Sequence, residues 1–564
     1  MKKESRFLKY AIIMSLLVGG LSFGLPSVAE DITSGCDIHN ADYGNDNTLN
    51  IQNDIILRPV DLGDFHYHND TIPAISDAVH IVVTGNGHSI SGELMNNDEN
   101  HTGFRVSNSA ALTFNDIKFE NLNYNYSMDS GTLNDVNWLL EGAIAHSEKT
   151  AGSLNFNQTN FTNNTVGISG ERLGRNVTMQ IHGGLVNNNS NSQISDSSFS
   201  DNRVTSTASS ESSSVARDHI LTSEILGGAV YNTNQMNISN TSFNTTTATA
   251  NINAEGNSGV TEANATVLGG ALYNSGNLTI SNESSFTDNS AIAQGTSNNL
   301  TLTAQGGALY NSGTANISGT TFSNNSVTAT GGTAQGGAIY NAANAVINIS
   351  DSTFTGNTAN GSANDIYFAE SSIMNVQQGG DVTINSGLAS DDNTAVINIE
   401  NGGNLVMKEI NSASSGYTGG INIKGGGKLT FANESAPSLE NASLTITENG
   451  GAVEYAIAND FEMTANNVSL ANGVTDGEII KSGSNTMTIN GDFSDFSGQV
   501  SVAEGILKYI ADDANDKYYN ANSTKVHGGA TLIFDIANST GGGYLLKAYQ
   551  DWVLSLIVQA AVLL

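Results

Sequence analysis

The sequence predicts an all-β fold, a parallel β-helix of stacked coils, and three observations support that prediction. The 564 residues include 60 glycines but only four prolines, and the chain is rich in Asn, Ser and Thr, which suit turns and strands more than helices. Apolar and polar residues alternate, as in residues 278–281, with the period of two that is typical of strands with one buried face. A short motif recurs every 32 to 44 residues, which is the signature of a repeat architecture.

The first repeated element is a phenylalanine placed five residues after another apolar residue, with one insertion in the fifth copy. The seven copies pair Phe114 with Phe119, Phe156 with Phe161, Ile194 with Phe199, Ile238 with Phe243, Ile280 with Phe286, Ile317 with Phe322 and Ile349 with Phe354. Short strands of this kind bury their apolar face by stacking coil on coil. A coil of three short strands needs about 20 residues, so each copy is predicted to form about two coils.

A second element, Gly-Gly-Ala followed by an aliphatic residue, Tyr and Asn, precedes four of these copies. It begins at Gly227-Gly228-Ala229, Gly269-Gly270-Ala271, Gly306-Gly307-Ala308 and Gly336-Gly337-Ala338. Paired glycines permit positive φ and a close backbone approach at a coil corner. The pattern predicts that Ala and Tyr face one side and the aliphatic residue the other. The final Asn is predicted to occupy a turn and to form an amide ladder with its equivalents.

The third element is Phe-x-x-Asn, which follows the corner motif in each repeat. It pairs Phe161 with Asn164, Phe199 with Asn202, Phe286 with Asn289, Phe322 with Asn325 and Phe354 with Asn357. The pattern fails at Phe243, because Thr246 stands where Asn is expected. We interpret Phe as a stacked core aromatic and Asn as a turn residue, in preference to direct ligand contacts.

The N-terminal 29 residues have the pattern of a secretory signal peptide. Basic residues precede an apolar run that is too short to span a bilayer, and Ser27-Val28-Ala29 is a small-x-small cleavage site. The alternative, an N-terminal membrane anchor, lacks a stop-transfer charge cluster immediately afterwards. The sequence therefore predicts export, with a mature chain that starts at Glu30.

Charge and cysteine content exclude several classes of partner and site. The net charge of −34 argues against nucleic acid and anionic lipid as partners. The lone cysteine, Cys36, is read as an isolated thiol or an intermolecular disulfide. A His66-x-His68 pair lies among Asp61, Asp64 and Asp70, but without a third spaced ligand we interpret it as an N-terminal capping loop. No Ca²⁺-binding loop pattern is present, and no metal or cofactor is predicted.

The combination of the Gly-Gly-Ala and Phe-x-x-Asn tetrapeptides over residues 142–357 resembles the polymorphic outer-membrane proteins known best from chlamydiae, which are autotransporter adhesins. Residues 484–507 are similar to the autotransporter-associated passenger repeat. The resemblance implies a right-handed, pectate-lyase-like passenger β-helix, the usual hand of parallel crossovers. It also implies display at the outer-membrane surface and adhesion to host or neighbouring cells, with the tetrapeptides as the adhesion motifs.

Five segments follow from these patterns. They are the signal peptide (1–29), an N-terminal cap (30–102), a β-helix with the two tetrapeptides (103–360), a less regular β-helix (361–541) and an apolar tail (542–564). The tail departs from the family, since no alternating strands of a translocator follow Gly543. A truncated or frameshifted reading frame explains it better than a membrane-associating tail or terminal cap. Outer-membrane attachment would then require a separate translocator.

Three function classes remain. Adhesion to a receptor on host or bacterial cells, with self-association as a further mode, is preferred. A structural stalk is the second; about 500 residues in 20-residue coils predict a rod on the order of 100 Å. A polysaccharide lyase or glycosidase is the third, but charged residues rarely occupy equivalent repeat positions. The pair Arg172 and Arg175 is interpreted as surface, and no enzymatic activity is predicted.

Overall fold

The computed structural model describes residues 28–32, 47–57, 80–93, 103–128, 135–171, 175–210, 218–254, 259–408, 416–432, 442–463, 468–490, 493, 496–510, 521–535 and 556–559. All regular secondary structure in these ranges is β-strand, and consecutive coils pair in parallel along the chain. The predicted all-β parallel β-helix is confirmed.

Sheet 1 contains one strand from each of fifteen coils. Its strands are Val28–Ile32, Asn47–Ile51, His80–Thr84, Ala111–Asn115, Ser153–Asn157, Asn191–Ser195, Gln235–Ser239, Asn277–Ser281, Thr314–Ser318, Val346–Ser350, Ile373–Val376, Val396–Ile399, Gly420–Ile423, Ser443–Ile446 and Val468–Leu470. Alternate residues face the core in strands such as Asn277–Ser281 and Val346–Ser350, as the period of two predicts.

Sheet 2 precedes sheet 1 in each coil, and sheet 3 follows it. The strands of sheet 2 are Phe104–Val106, Ala145–Ser147, Val186–Asn188, Val230–Asn232, Leu272–Asn274, Leu309–Asn311, Ile339–Asn341, Ile366–Phe368 and Leu388–Ser390. The strands of sheet 3 are Ile55–Leu57, Ser89–Glu93, Lys118–Met128, Asn160–Thr162, Ser198–Ser200, Ser242–Asn244, Ser285–Thr287, Thr321–Ser323, Ser352–Thr355, Asp381–Ile384, Asn404–Met407, Lys428–Phe431, Ala452–Tyr455, Glu478–Lys481, Gln499–Val502 and Ser523–Val526.

Sheets 4 and 5 form a two-layered extension of the coils, which we call the wing. Sheet 4 branches from the second half of Lys118–Met128 and continues through Thr165–Glu171, Arg203–Ser209, Thr247–Asn253, Ser290–Thr296, Ser326–Thr328 and Thr358–Ala359, the last pairing with antiparallel Ser362–Ala363. Sheet 5 contains Val136–Glu141, Val177–His182, His219–Leu226, Val260–Leu268, Leu300–Gln305 and Thr333–Gln335. A final sheet 6 contains Phe461–Met463, Thr486–Ile489, Ile506–Ile510, Thr531–Asp535 and Leu556–Gln559.

The prediction of two coils per repeat is wrong, because each copy of the motif forms one coil. Val230 pairs directly with Leu272, which is the equivalent residue of the next copy. The wing strands account for the additional residues, and the coils become shorter once the wing ends near Ala363. The fifteen strands of sheet 1 span about 70 Å along the axis, and sheets 3 and 6 continue beyond its last strand.

The phenylalanines of the repeat form one stack inside the solenoid. Neighbouring rings lie 4.3 to 5.3 Å apart between centroids and are close to parallel. The stack contains Phe119, Phe161, Phe199, Phe243, Phe286, Phe322 and Phe354, all of them buried. The interpretation of these residues as stacked core aromatics is confirmed.

Two buried amide ladders run parallel to the phenylalanine stack. In the Phe-x-x-Asn ladder, Asn289 Nδ2 donates to Asn325 Oδ1 (3.0 Å) and to the Phe243 carbonyl (2.9 Å). In the second ladder, Asn232 Nδ2 donates to Asn274 Oδ1 (2.7 Å), and the pattern continues through Asn341. The predicted ladder at the end of the corner motif is therefore present, and the Phe-x-x-Asn residues form another.

The Phe-x-x-Asn ladder is interrupted at Thr246. The Thr246 side chain is buried, and its Oγ1 has no hydrogen-bond partner. In the neighbouring coils, the side chain at this position accepts a bond from the backbone amide of the preceding Asn, as Asn202 Oδ1 does from Asn164 (3.1 Å). The Thr246 backbone amide still donates to Asn289 Oδ1 (3.1 Å), but the coil lacks the bonds that an asparagine side chain makes at this position in the other coils.

We predict that Thr246→Asn stabilises this part of the solenoid by about 1–2 kcal/mol, because it adds amide hydrogen bonds that contribute about 1 kcal/mol each. Slower hydrogen–deuterium exchange of the Phe199 and Phe243 coils and a higher thermal unfolding midpoint would show the gain. The control is Thr246→Val, which removes only the unpartnered hydroxyl and is expected to leave stability unchanged or slightly higher. Equal effects of both variants would contradict the ladder explanation.

The Gly-Gly-Ala motif forms the corner between sheet 5 and sheet 2. Gly269 has φ +79°, and a Cβ on Gly270 would lie 2.1 Å from the Gly307 carbonyl oxygen of the next coil. The predicted orientation of the following residues is partly wrong. Both Ala271 and Leu272 are buried, and only Tyr273 faces outward. The strand begins after Ala, so the alanine belongs to the corner and does not share a face with tyrosine.

Asp365 closes the Phe-x-x-Asn ladder near the end of the wing. Its Oδ1 accepts from Asn357 Nδ2 (2.7 Å), and its Oδ2 accepts from the Ser386 amide (2.6 Å). The side chain is buried, and this burial raises the pKa of the carboxyl to about 6, although bonds from Asn357 and Ser386 act in the opposite direction. The ladder thus ends on a titratable acceptor where another amide would otherwise lie.

We predict that Asp365 makes the solenoid less stable as pH rises from about 4 to about 6. The folded pKa lies above the ordinary value of 3.8, so the folded chain binds the proton more tightly and loses this advantage on deprotonation. The size is about 3 kcal/mol at most. Urea unfolding of the wild type and Asp365→Asn from pH 4 to 7 tests this. The difference between the two proteins should change with pH in that window; a constant difference would contradict it.

Several sequence predictions fall on segments outside the described residues. They concern most of the signal peptide, Cys36, the Asp61 to Asp70 cluster and Arg172. In the apolar tail, Leu556–Gln559 pairs in parallel with Thr531–Asp535 as the last strand of sheet 6. The five predicted segment boundaries stay predictions, although the wing ends close to residue 360.

Candidate functional site

The most distinctive outer feature of the solenoid is a column of stacked tyrosines on sheet 2, which we call the tyrosine column. It contains Tyr231, Tyr273, Tyr310, Tyr340 and Tyr367, which occupy paired positions in five successive coils. Neighbouring rings lie 5.0 to 5.7 Å apart between centroids, with interplanar angles of at most 15°. Four of the five rings are half-buried, and Tyr340 is 8% exposed.

A second column flanks the tyrosines, because the last residue of each sheet 5 strand precedes the Gly-Gly corner. We call it the flanking column; in register, it contains Glu141, His182, Leu226, Leu268, Gln305 and Gln335. The His182 ring stacks on Tyr231 with a centroid distance of 4.9 Å and thereby extends the tyrosine column by one ring. The Gly-Gly-Ala corners hold the two columns beside each other along the axis.

Amides in the flanking column approach the phenol hydroxyls. Gln305 Nε2 donates to Gln335 Oε1 (2.7 Å), and these two side chains lie near the hydroxyls of Tyr340 and Tyr367, respectively. The Tyr367 hydroxyl donates to Asp391 Oδ1 (2.7 Å). The outer edge of the column therefore presents a row of hydroxyl and amide groups.

A small apolar cluster supports the far end of the tyrosine column outside the main core. Tyr340 packs there with Ala342, Ala345 and Ala369, and the rings of Tyr310 and Tyr367 lie against them. These alanines lie beside the sheet 2 strands, where bulkier side chains would cover the rings. The rings at this end are thus held both by their stacked neighbours and by the alanine cluster.

Charged groups gather at the N-terminal end of the two columns. Arg105 Nε donates to Glu148 Oε1 (2.9 Å), and Arg105 occupies the sheet 2 position that tyrosine occupies further along. Burial raises the pKa of Glu141. The charge of Arg105 acts to lower this pKa, and the charge of Glu148 acts to raise it. Burial lowers the pKa of His182 to about 4, so this imidazole is neutral at physiological pH. Burial raises the pKa of Tyr231 to about 12, helped by Tyr273, Glu141 and Glu224.

The structure places the sequence-predicted adhesion motifs inside the solenoid. The buried residues are Gly227, Gly228, Ala229, Gly269, Gly270, Ala271, Gly306, Gly307, Ala308, Gly336, Gly337, Ala338, Phe199, Asn202, Phe286, Asn289, Phe322, Asn325, Phe354 and Asn357. The glycines and alanines form the corners, the phenylalanines form the aromatic stack, and the asparagines form the amide ladder. Any contact that these repeats make with a partner must therefore come from their outward neighbours.

The corner motif predicted the outward tyrosines one repeat at a time and did not predict their grouping into a surface column. The signal was present, since Tyr recurs two residues after Ala in all four strict copies. Tyr367 and the flanking residues could not be found in this way. They lie outside the motif, and only the register of sheet 5 brings them beside it.

Among the described residues, no group of three or more His, Cys, Asp or Glu side chains is arranged to hold a metal ion. Within the same ranges, no helix is long and apolar enough to cross a membrane.

Fold and surface together define a parallel β-solenoid with an ordered aromatic and amide strip along one side. No protein-family profile matches the sequence, and no curated protein matches it.

Proposed function

We propose that the protein is an exported adhesion module that binds cell surfaces through the tyrosine column of its solenoid. The resemblance in the tetrapeptides and the signal-peptide pattern support export and surface display. The observation that carries the binding role is the tyrosine column itself. Tyrosine is among the residues most often concentrated in binding surfaces, because it offers a large rigid ring and a polar hydroxyl together.

Fold stability does not require these rings to lie outside. The main core already contains an aromatic stack, from Phe119 to Phe354, which occupies four of the same five coils. The tyrosines lie beyond that core, and four of the five are only partly buried. An ordered aromatic strip outside the core, repeated in five coils, is a feature that a plain stalk does not need.

We predict that replacing Tyr273 and Tyr310 together by Ala lowers binding of the purified full-length chain to epithelial or bacterial cells at least tenfold. These two rings have a stacked tyrosine on each side, so their loss divides the column. Saturable binding of fluorescently labelled protein to intact cells measures the effect.

The matched control replaces Thr279 and Asn316 by Ala. These residues face outward on sheet 1 in the same two coils, so the control changes the surface while leaving the column intact. Both double variants must retain the β circular-dichroism spectrum of the wild type. Absence of saturable binding by the folded wild type would refute adhesion and favour the stalk, whereas equal binding by the two variants would remove the tyrosine column as its site.

A further inference from the structure

We infer that the ligand of the tyrosine column is a neutral β-1,4-linked glycan that lies along the solenoid axis across several coils. This inference rests on the proposed function, because it assigns a chemical class to the partner of the same surface. It depends on three properties of the two columns: their spacing, their lack of charge over the central coils, and the groups that their outer edge presents.

The spacing of the rings fits a polymer that places one sugar beside each coil. Centroids from Tyr231 to Tyr367 lie 5.0 to 5.7 Å apart, which is close to the advance of one pyranose unit in an extended β-1,4-linked chain. Successive sugars in such a chain are turned over relative to each other, so equivalent contacts recur at every second coil. An extended peptide advances about 3.3 Å per residue, so it does not place one residue beside each coil.

The central part of the site carries no formal charge. Between Glu141 and the end of the flanking column, the side chains are those of His182, two leucines and two glutamines, and residues 289–350 contain no Asp, Glu, Lys or Arg. The surroundings are acidic, with Glu141 and Glu224 at one end and Asp391 at the other. An anionic polysaccharide would be repelled, and a neutral one would not.

The exposed groups match the two kinds of surface that a sugar has. The rings stack on one another, so their edges and hydroxyls face outward and their faces are covered. Leu226, Leu268 and the ring edges offer apolar contact to sugar C–H groups. The phenol hydroxyls and the amides of Gln305 and Gln335 can donate to and accept from sugar hydroxyls. Several weak contacts repeated along five coils would add up to appreciable affinity.

The test titrates the purified full-length chain by calorimetry with three β-1,4-linked hexasaccharides: glucose, N-acetylglucosamine, and mannuronate as the anionic comparison. We expect saturable binding of at least one neutral hexamer and at least tenfold weaker binding of the mannuronate hexamer. Tyr273→Ala with Tyr310→Ala should reduce affinity for the neutral hexamer at least tenfold. Thr279→Ala with Asn316→Ala should leave it unchanged.

Two milder variants keep the test meaningful if the double tyrosine variant is misfolded. Tyr310→Phe keeps the ring and removes its hydroxyl, and Gln305→Leu removes the amide at nearly constant volume. Each should weaken binding of the neutral hexamer about threefold to tenfold while leaving the circular-dichroism spectrum unchanged. Unchanged affinity in both folded variants would overturn the assignment of the ligand to this surface.

Cell binding separates failure of this inference from failure of the proposed function. If cells bind the chain but neither neutral hexamer does at millimolar concentration, the glycan assignment is wrong and adhesion stands. Protease treatment of the cells that abolishes binding, with periodate oxidation of cell-surface sugars having no effect, would likewise show a protein partner and overturn the glycan. Hexamer binding without cell binding would support the glycan site and refute adhesion.

Discussion

Phe243→Ala is expected to destabilise the coils around residues 199–286 by about 3–5 kcal/mol, the usual cost of deleting a buried aromatic side chain. Its ring lies between two others, 4.6 Å from Phe199 and 4.7 Å from Phe286, and it is fully buried. Removing it leaves a cavity in the core and removes two stacking contacts. Hydrogen–deuterium exchange resolved along the chain should accelerate most in these coils.

The control for this variant is Phe243→Leu, which keeps most of the apolar volume and removes the stacking. We expect a loss well below that of the alanine variant, in keeping with the tolerance of cores for substitutions of similar size. The coils of the second half, beyond residue 361, should exchange as in the wild type, because each coil contacts only its neighbours. Equally faster hydrogen–deuterium exchange along the whole chain would contradict the expectation that the destabilisation is confined to neighbouring coils.

Gly270→Ala is expected to be at least as damaging as the loss of the phenylalanine. The added Cβ would lie 2.1 Å from the Gly307 carbonyl oxygen and 2.7 Å from the Ser290 carbonyl carbon. Backbone atoms on both sides have to move, and the hydrogen bonds that join these coils at the corner are lost. The loss should exceed about 3 kcal/mol, seen as a large fall in the thermal midpoint and in the yield of folded protein.

Gly420→Ala is the matched control, since Gly420 also lies in a parallel sheet but has nothing within 4 Å of an added Cβ. Alanine there is expected to change stability by less than about 1 kcal/mol, and in the stabilising direction, because glycine in a strand loses more conformational freedom on folding. A similar loss at both positions would show that the close backbone approach at the corner is not the reason for the paired glycines.

The repeat motifs predicted the core of this fold well. Period-two alternation located the strands, and the recurrence of Phe and Asn predicted the stack at Phe243 and the ladder at Asn232. These features are visible in sequence because each coil places the same residue at the same point. A residue such as Asn289 donates to the equivalent asparagine of the next coil, which favours the same residue at each repeat.

The repeat motifs predicted neither the wing nor the candidate site. Ser206 and Ser223, whose hydroxyls lie 3.0 Å apart, belong to the interior between sheets 4 and 5 and to no repeated motif. Such small residues give a thin two-layered core whose strands carry no strong hydrophobic signal. The flanking column depends on pairing across 30 to 45 residues, for example Leu268 with Gln305, and no local pattern encodes it.

The in-register stacking of coils has a consequence for the gene. Each coil from Tyr231 to Tyr340 offers its neighbours above and below the same Phe, Tyr and corner glycines. A recombination event that deletes or duplicates one such unit between equivalent codons therefore joins surfaces that already fit. The chain can therefore lengthen or shorten by whole coils while the packing between neighbouring coils stays the same. The tyrosine column gains or loses one tyrosine with each coil.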